Sequence, residues 1–126
     1  MGRVTGLGGL SSRRRIQGLY EWYEKHLGIK QDVPGQGVYF RWKEDGDRHV
    51  VTAWSIFKQE TKYFQPSTKE FMVNFRVEDL DGLLEKLRGE GVWIDPNRED
   101  YDYGRCACIM DPQGNRIELW EPPKHS

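Results

Sequence analysis

Apolar and polar positions follow two periods along this chain, and the periods switch in a repeated order. RVTGLGGL, residues 3–10, reads as a strand loosened by glycines. IQGLYEWYEKHLGI, residues 16–29, spaces Leu19, Trp22, Tyr23 and Leu27 at helical steps, and Gly28 is placed as a carboxy-terminal cap. VYFRWKE reads as a strand with DGD as its turn, and HVVTAWSIFKQ as a longer strand. ETKYFQPSTK is a polar, proline-bearing connection. The plan then repeats. EFMVNFRV is a strand. DLDGLLEKLRGEG is a helix with Asp79 as N-cap and Gly89 or Gly91 as its stop. VWIDP starts another strand. EDYDYGRCACIMD and NRIELWE form a hairpin around the turn DPQGN.

The helices echo each other. Leu19 matches Leu80, Trp22 matches Leu83, Tyr23 matches Leu84, and Glu24-Lys25 matches Glu85-Lys86. An internal duplication explains both this echo and the repeated order. The expected organisation is one domain over residues 1–126, built from modules at roughly 1–60 and 69–122.

Composition narrows the class. At 126 residues, 37% hydrophobic and 31% charged, the chain is long enough for a core and polar enough to be globular. A formal net charge of -1 gives no general attraction to nucleic acid or acidic membranes. No apolar run reaches transmembrane length. MGRVTGLGGLSSRRR lacks the apolar centre of a secretion signal, so a cytoplasmic location is expected. Gly2 is followed by Arg3, and Gly6 stands where a myristoylation motif has Ser or Thr. Cys106 and Cys108 share one strand face, poor geometry for an unstrained disulfide, and read as small core residues. His26, His49 and His125 have no ligand spacing, and the RRR at 13–15 reads as a solvated face.

Three stretches carry a resemblance. YEWYEKHLGI, FMVNFRVEDLDGLLEKLRGEGV and MDPQGNRIELWEP together span nearly the whole chain. In them the chain resembles the glyoxalase/bleomycin-resistance/extradiol-dioxygenase superfamily, also called the vicinal oxygen chelate proteins. The resemblance implies an α+β fold of paired strand-helix-strand modules. Their mixed sheet curls around a cavity, with the helices outside. It also implies a homodimer, and relatives that are metal-dependent lyases and isomerases, ring-cleaving dioxygenases, or non-enzymatic binders.

Strand period places Arg116, Glu118 and Trp120 on one face of the last strand, with Ile117 and Leu119 on the other, under a helix. In metal-using relatives, the glutamate of this motif is a metal ligand, which here is Glu118. The other family ligand places are occupied by Met72, Gly6 and, in TAWSIFK, at best Ser55. Met72 is a poor ligand for hard ions and Gly6 has no side chain to offer. Residues 11–17, SSRRRIQ, also depart from the family's acidic helix start, so a poorly capped first helix is expected.

A metal-free pocket is the alternative. Met72, Asn74 and Arg76 share a face, and Trp54, Phe57, Trp42 and Trp120 are candidate walls, with the inward face of residues 50–58 left open. Arg76 or Arg116 suits an anionic group, and Glu118 a cationic or hydroxyl group. Glu118 has a plainer role open to it, an ion pair with Arg116 or Arg76. KYFQPS either covers the pocket mouth or only connects, and Tyr101 and Tyr103 form either a rim or a lid. The leading expectation is a small-molecule-binding protein with an aromatic cavity, no cofactor, and a hydrophobic or aromatic ligand. The alternatives are a lyase, isomerase or dioxygenase using Glu118 as metal ligand or general base, and a structural protein whose cavity is filled by its own side chains.

Overall fold

The structure, a computed structural model, describes residues 2–13, 18–32, 37–41, 51–101 and 104–123, apart from the side chains of Glu99 and Tyr101. The expectations for Trp42, His49, Tyr103 and His125 fall outside the described residues.

Nine elements follow in the order β1 Arg3–Arg13, α1 Leu19–Leu27, β2 Val38–Arg41, β3 Val51–Phe57, β4 Phe71–Glu78, α2 Leu80–Gly89, β5 Glu99–Tyr101, β6 Gly104–Met110 and β7 Arg116–Glu121. The described strands form one mixed sheet ordered β2-β3-β1-β4-β7-β6-β5. β1 pairs antiparallel with β4 at its centre, and the β1–β3 and β4–β7 pairs are parallel. This is the expected α+β class. VWIDP contributes less than a strand, a single bridge between Ile94 and Ile109.

Cross-strand partners share a face, so the register assigns every side chain to one of two surfaces. Trp54 lies beside Leu10, Leu10 beside Val73, and Val73 beside Ile117. This is the helix side. There Val77, Leu80, Leu83, Leu84, Ala107 and Leu119 form the buried core, with Ile117 packed against it. Each buried leucine contributes about 2 kcal/mol by leaving water. The aliphatic face of β7 therefore sits under α2, as its alternation predicts. α2 starts where Asp79 Oδ1 accepts from the Gly82 N–H at 3.1 Å.

α1 differs from its sequence reading. It begins at Leu19 behind a left-handed Gly18 with no side-chain cap, as expected from SSRRRIQ. But Trp22 and Leu27, read as part of its apolar stripe, are exposed. Tyr20 and Tyr23 make the sheet contact instead, meeting Trp54 edge-on at 5.7 and 4.7 Å between ring centroids. The Tyr20 hydroxyl accepts from the Ile56 N–H at 2.7 Å, which requires this face to turn inward.

The connection between β3 and β4 is also more than a polar loop. Phe64 is among the most buried side chains of the described residues, at 1% exposure. Arg13, read from sequence as part of a solvated basic run, reaches into this loop. It donates from Nη2 to the carbonyls of Lys69 at 2.7 Å and Ser67 at 3.3 Å, and its guanidinium lies 4.9 Å from the Phe64 ring centroid.

Candidate functional site

The face opposite the helices is built in rungs. Asn74, Glu118 and Cys108 form one rung across β4, β7 and β6, and Arg76, Trp120 and Cys106 form the next. Met72 follows on β4 and Arg116 on β7, as the two-residue period requires. Met72, Asn74, Arg76, Arg116, Glu118 and Trp120 are thus brought to one surface, as the sequence suggested. β3 adds Phe57, whose β1 partner is Arg13. Trp54, from the opposite face, is under α1 and away from this surface.

Glu118 does not form an ion pair with either arginine. The Tyr63 hydroxyl donates to its Oε2, and Asn74 Nδ2 donates to its Oε1 at 2.7 Å. Tyr63 belongs to the KYFQPS segment, and its ring stacks on Phe57 at 5.6 Å with an interplanar angle of 2°. That segment therefore does more than connect, since Tyr63 reaches Glu118 on the sheet. Burial first, and the Glu118 charge second, push the Tyr63 hydroxyl well above the ordinary tyrosine range, so it stays a proton donor. The same two causes push the Cys108 thiol up to about 12. Both cysteines are buried and neither is in a disulfide, in keeping with small core residues.

The glycines of β1 make this arrangement possible. A Cβ on Gly8 would lie 2.0 Å from Asn74 Oδ1, and one on Gly6 would lie 2.9 Å from Arg76 Nη2. These positions, empty of ligating side chains in the sequence, are where β4 side chains pass over β1. Asn74 Oδ1 is buried there without a hydrogen-bond partner. Arg76 donates from Nε to Thr5 Oγ1 at 3.2 Å.

Arg116 is 5% exposed and ties two segments together. Its Nη1 donates to the Gln65 carbonyl at 2.7 Å and pairs with Asp95 Oδ2 at 2.9 Å, with Tyr63 5.5 Å from the guanidinium carbon. Burial alone would raise the Asp95 carboxyl. The Asn97 N–H and the Arg116 guanidinium outweigh it and hold Asp95 below the usual range. Between the segments lies a cavity of about 500 Å³. Cys106 and Cys108 line it from β6, Tyr63 and Pro66 from one segment, and Trp93 and Asp95 from the other. Tyr63, Trp93 and Asp95 are site residues the sequence reading did not single out. The signal available for Tyr63 was an aromatic pair beside a proline in a connection between strands.

The divalent metal implied by the family resemblance does not fit the residues around Glu118. Both carboxylate oxygens are occupied by hydrogen-bond donors, and the rung neighbours are an amide and a thiol held protonated. Such an ion needs several deprotonated or oxygen ligands. Among the described residues, no group of three His, Cys, Asp or Glu is placed to hold one.

The fold has solved counterparts. Methylmalonyl-CoA epimerase from Streptomyces coelicolor, in complex with 2-nitronate-propionyl-CoA, superposes with a TM-score of 0.70 at 14% identity, over 98% of this chain and 99% of that one. The Mycobacterium tuberculosis methylmalonyl-CoA epimerase gives 0.61 at 22% identity, over 95% and 89%. The Mn(II)-bound glyoxalase from Novosphingobium aromaticivorans gives 0.57 at 16% identity, over 96% of this chain and 40% of that chain. At these identities the likeness concerns the fold. No curated protein matches the chain. No helix among the described residues is long and apolar enough to cross a membrane. The model of the Glyoxalase/Bleomycin resistance protein/Dioxygenase superfamily matches residues 12–119, from the end of β1 into β7, and the chain belongs to that superfamily.

Proposed function

We propose that this superfamily member binds a small hydrophobic or aromatic molecule without a metal, in the cavity over β6. The cavity itself carries the reading. Its volume of about 500 Å³ lies within the range of small-molecule sites, and it combines aromatic walls, Tyr63 and Trp93, with a few polar groups. Glu118 supports the metal-free part, because Tyr63 and Asn74 satisfy it where a metal would need its oxygens. Of the residues singled out from sequence, Arg116 lines this cavity, and Phe57 supports its Tyr63 wall by stacking. A homodimer in the cytoplasm is the proposed setting. A screen of aromatic compounds read by tryptophan fluorescence tests the binding. The expected result is saturable quenching with one-to-one stoichiometry that Trp93→Phe diminishes. No saturable binder among compounds sized to the cavity would overturn the reading.

One observation favours a second reading, proton transfer by Glu118. Tyr63 places a second ionisable group on that carboxylate, which acid-base chemistry requires. A hydroxyl held far above its ordinary range is a poor acid, so binding is preferred. Exchange of deuterium from solvent into an acidic C–H of a bound carbonyl compound, abolished by Glu118→Gln, would reverse that preference.

A further inference from the structure

The cavity's charge points to the kind of ligand it takes, an inference that rests on the binding reading above. Three charged side chains line it, Lys62, Arg116 and Asp95. The single carboxylate is fully engaged. Asp95 Oδ2 pairs with Arg116 at 2.9 Å, and Asp95 Oδ1 accepts from the Asn97 N–H at 2.9 Å. Glu118 is engaged likewise by Tyr63 and Asn74. The donors are not exhausted. The Arg116 side chain is 6% exposed, and its buried Nε–H has no acceptor. Lys62 stands exposed at the rim with no ion-pair partner among the described residues. The Arg116 Nε–H is closed off from solvent, so the donor a ligand can reach is the Lys62 ammonium. The lining therefore holds one positive charge beyond neutrality and an orphan N–H, with no acid left to receive a cation.

We propose that the cavity selects an anionic ligand, a small aromatic carboxylate. Its ring would lie between Tyr63 and Trp93, and its carboxylate would accept from Lys62 at the rim. A neutral aromatic of the same shape would fill the space and leave the donor unmet. A cationic one would face Lys62 with no free counter-charge.

The probes are 2-naphthoate and its neutral analogue 2-naphthamide, titrated by tryptophan fluorescence and calorimetry at low ionic strength. 2-Naphthoate is expected to bind about tenfold more tightly, the difference between a charge-assisted and a neutral hydrogen bond. Lys62→Gln, an exposed change that leaves the fold intact, is expected to weaken 2-naphthoate by about threefold and leave 2-naphthamide unchanged. Equal affinity for the two probes, or equal weakening of both by Lys62→Gln, overturns the charge assignment and leaves the binding cavity standing. Binding of neither probe overturns the cavity reading along with it.

Discussion

Replacing Tyr63 with phenylalanine isolates the contact that closes Glu118. The ring keeps its place, because the stack on Phe57 and the approach of the Arg116 guanidinium involve carbon atoms and the π face. Only the hydroxyl is lost. A hydrogen bond to a charged group contributes about 1.5–3 kcal/mol. Glu118 retains the 2.7 Å bond from Asn74 and is half-buried, so water replaces part of what is removed. The expected loss is therefore about 1.5 kcal/mol at pH 7. Tm should fall by about 5 °C for a domain of this size. Alkaline pH supplies a second signature. The Tyr63 pKa is raised in the folded state, so its contribution to stability is complete below the ordinary tyrosine value. It declines as pH rises from that value towards the folded one. The wild-type protein should then lose up to about 1.4 kcal/mol per pH unit more than Tyr63→Phe above about pH 10. Urea denaturation at pH 7 and across pH 9–11 measures both effects, with Tyr63→Ala as the control that also removes the ring. Unchanged stability at pH 7, with parallel pH profiles, would refute the Tyr63–Glu118 contact.

Other perturbations test neighbouring parts. Arg116→Met should cost about 2 kcal/mol by leaving the partly buried Asp95 carboxylate without its counter-charge, and Asp95→Asn in the same chain should restore part of it, as a double-mutant cycle by urea denaturation would show. Gly8→Ala places a Cβ 2.0 Å from Asn74 Oδ1, so Asn74 must shift away from Glu118, at an expected cost of about 2 kcal/mol in thermal unfolding. Cys108, with its thiol pushed up to about 12, should not react with a thiol reagent at pH 8 until the protein unfolds. Its contribution to stability is present below the ordinary cysteine value and is lost as pH rises from there towards 12, a loss that Cys108→Ala should remove from the alkaline profile.

Elements whose periodicity reports burial on one side were legible from the sequence. α2 places Leu80, Leu83 and Leu84 on a single stripe, and β7 alternates aliphatic residues with Arg116, Glu118 and Trp120. β3 resisted because both of its faces carry an aromatic side chain, and period two cannot say which is inward. Register settled it, with Trp54 under α1 and Phe57 towards Tyr63. α1 misled because Tyr20, a residue with a polar tip, takes the inward position and leaves Trp22 exposed. The partners of Glu118 and Arg116 were the least legible. Tyr63 lies 55 residues from Glu118, and Gln65 lies 51 from Arg116, so each contact exists only once the connection folds back over the sheet. A carboxylate flanked by arginines invites an ion pair along the sheet, but Arg116 is taken by Asp95.

Tyr63 and Asn74 hold Glu118, and on the proposed reading the site works without a metal. Calorimetric titration of chelator-free protein with nickel, zinc, manganese and iron(II), alongside Glu118→Ala, tests it most directly. No stoichiometric binding to either protein is expected. One-to-one binding that Glu118→Ala abolishes would contradict that reading and return the chain to the metal-dependent members of its superfamily.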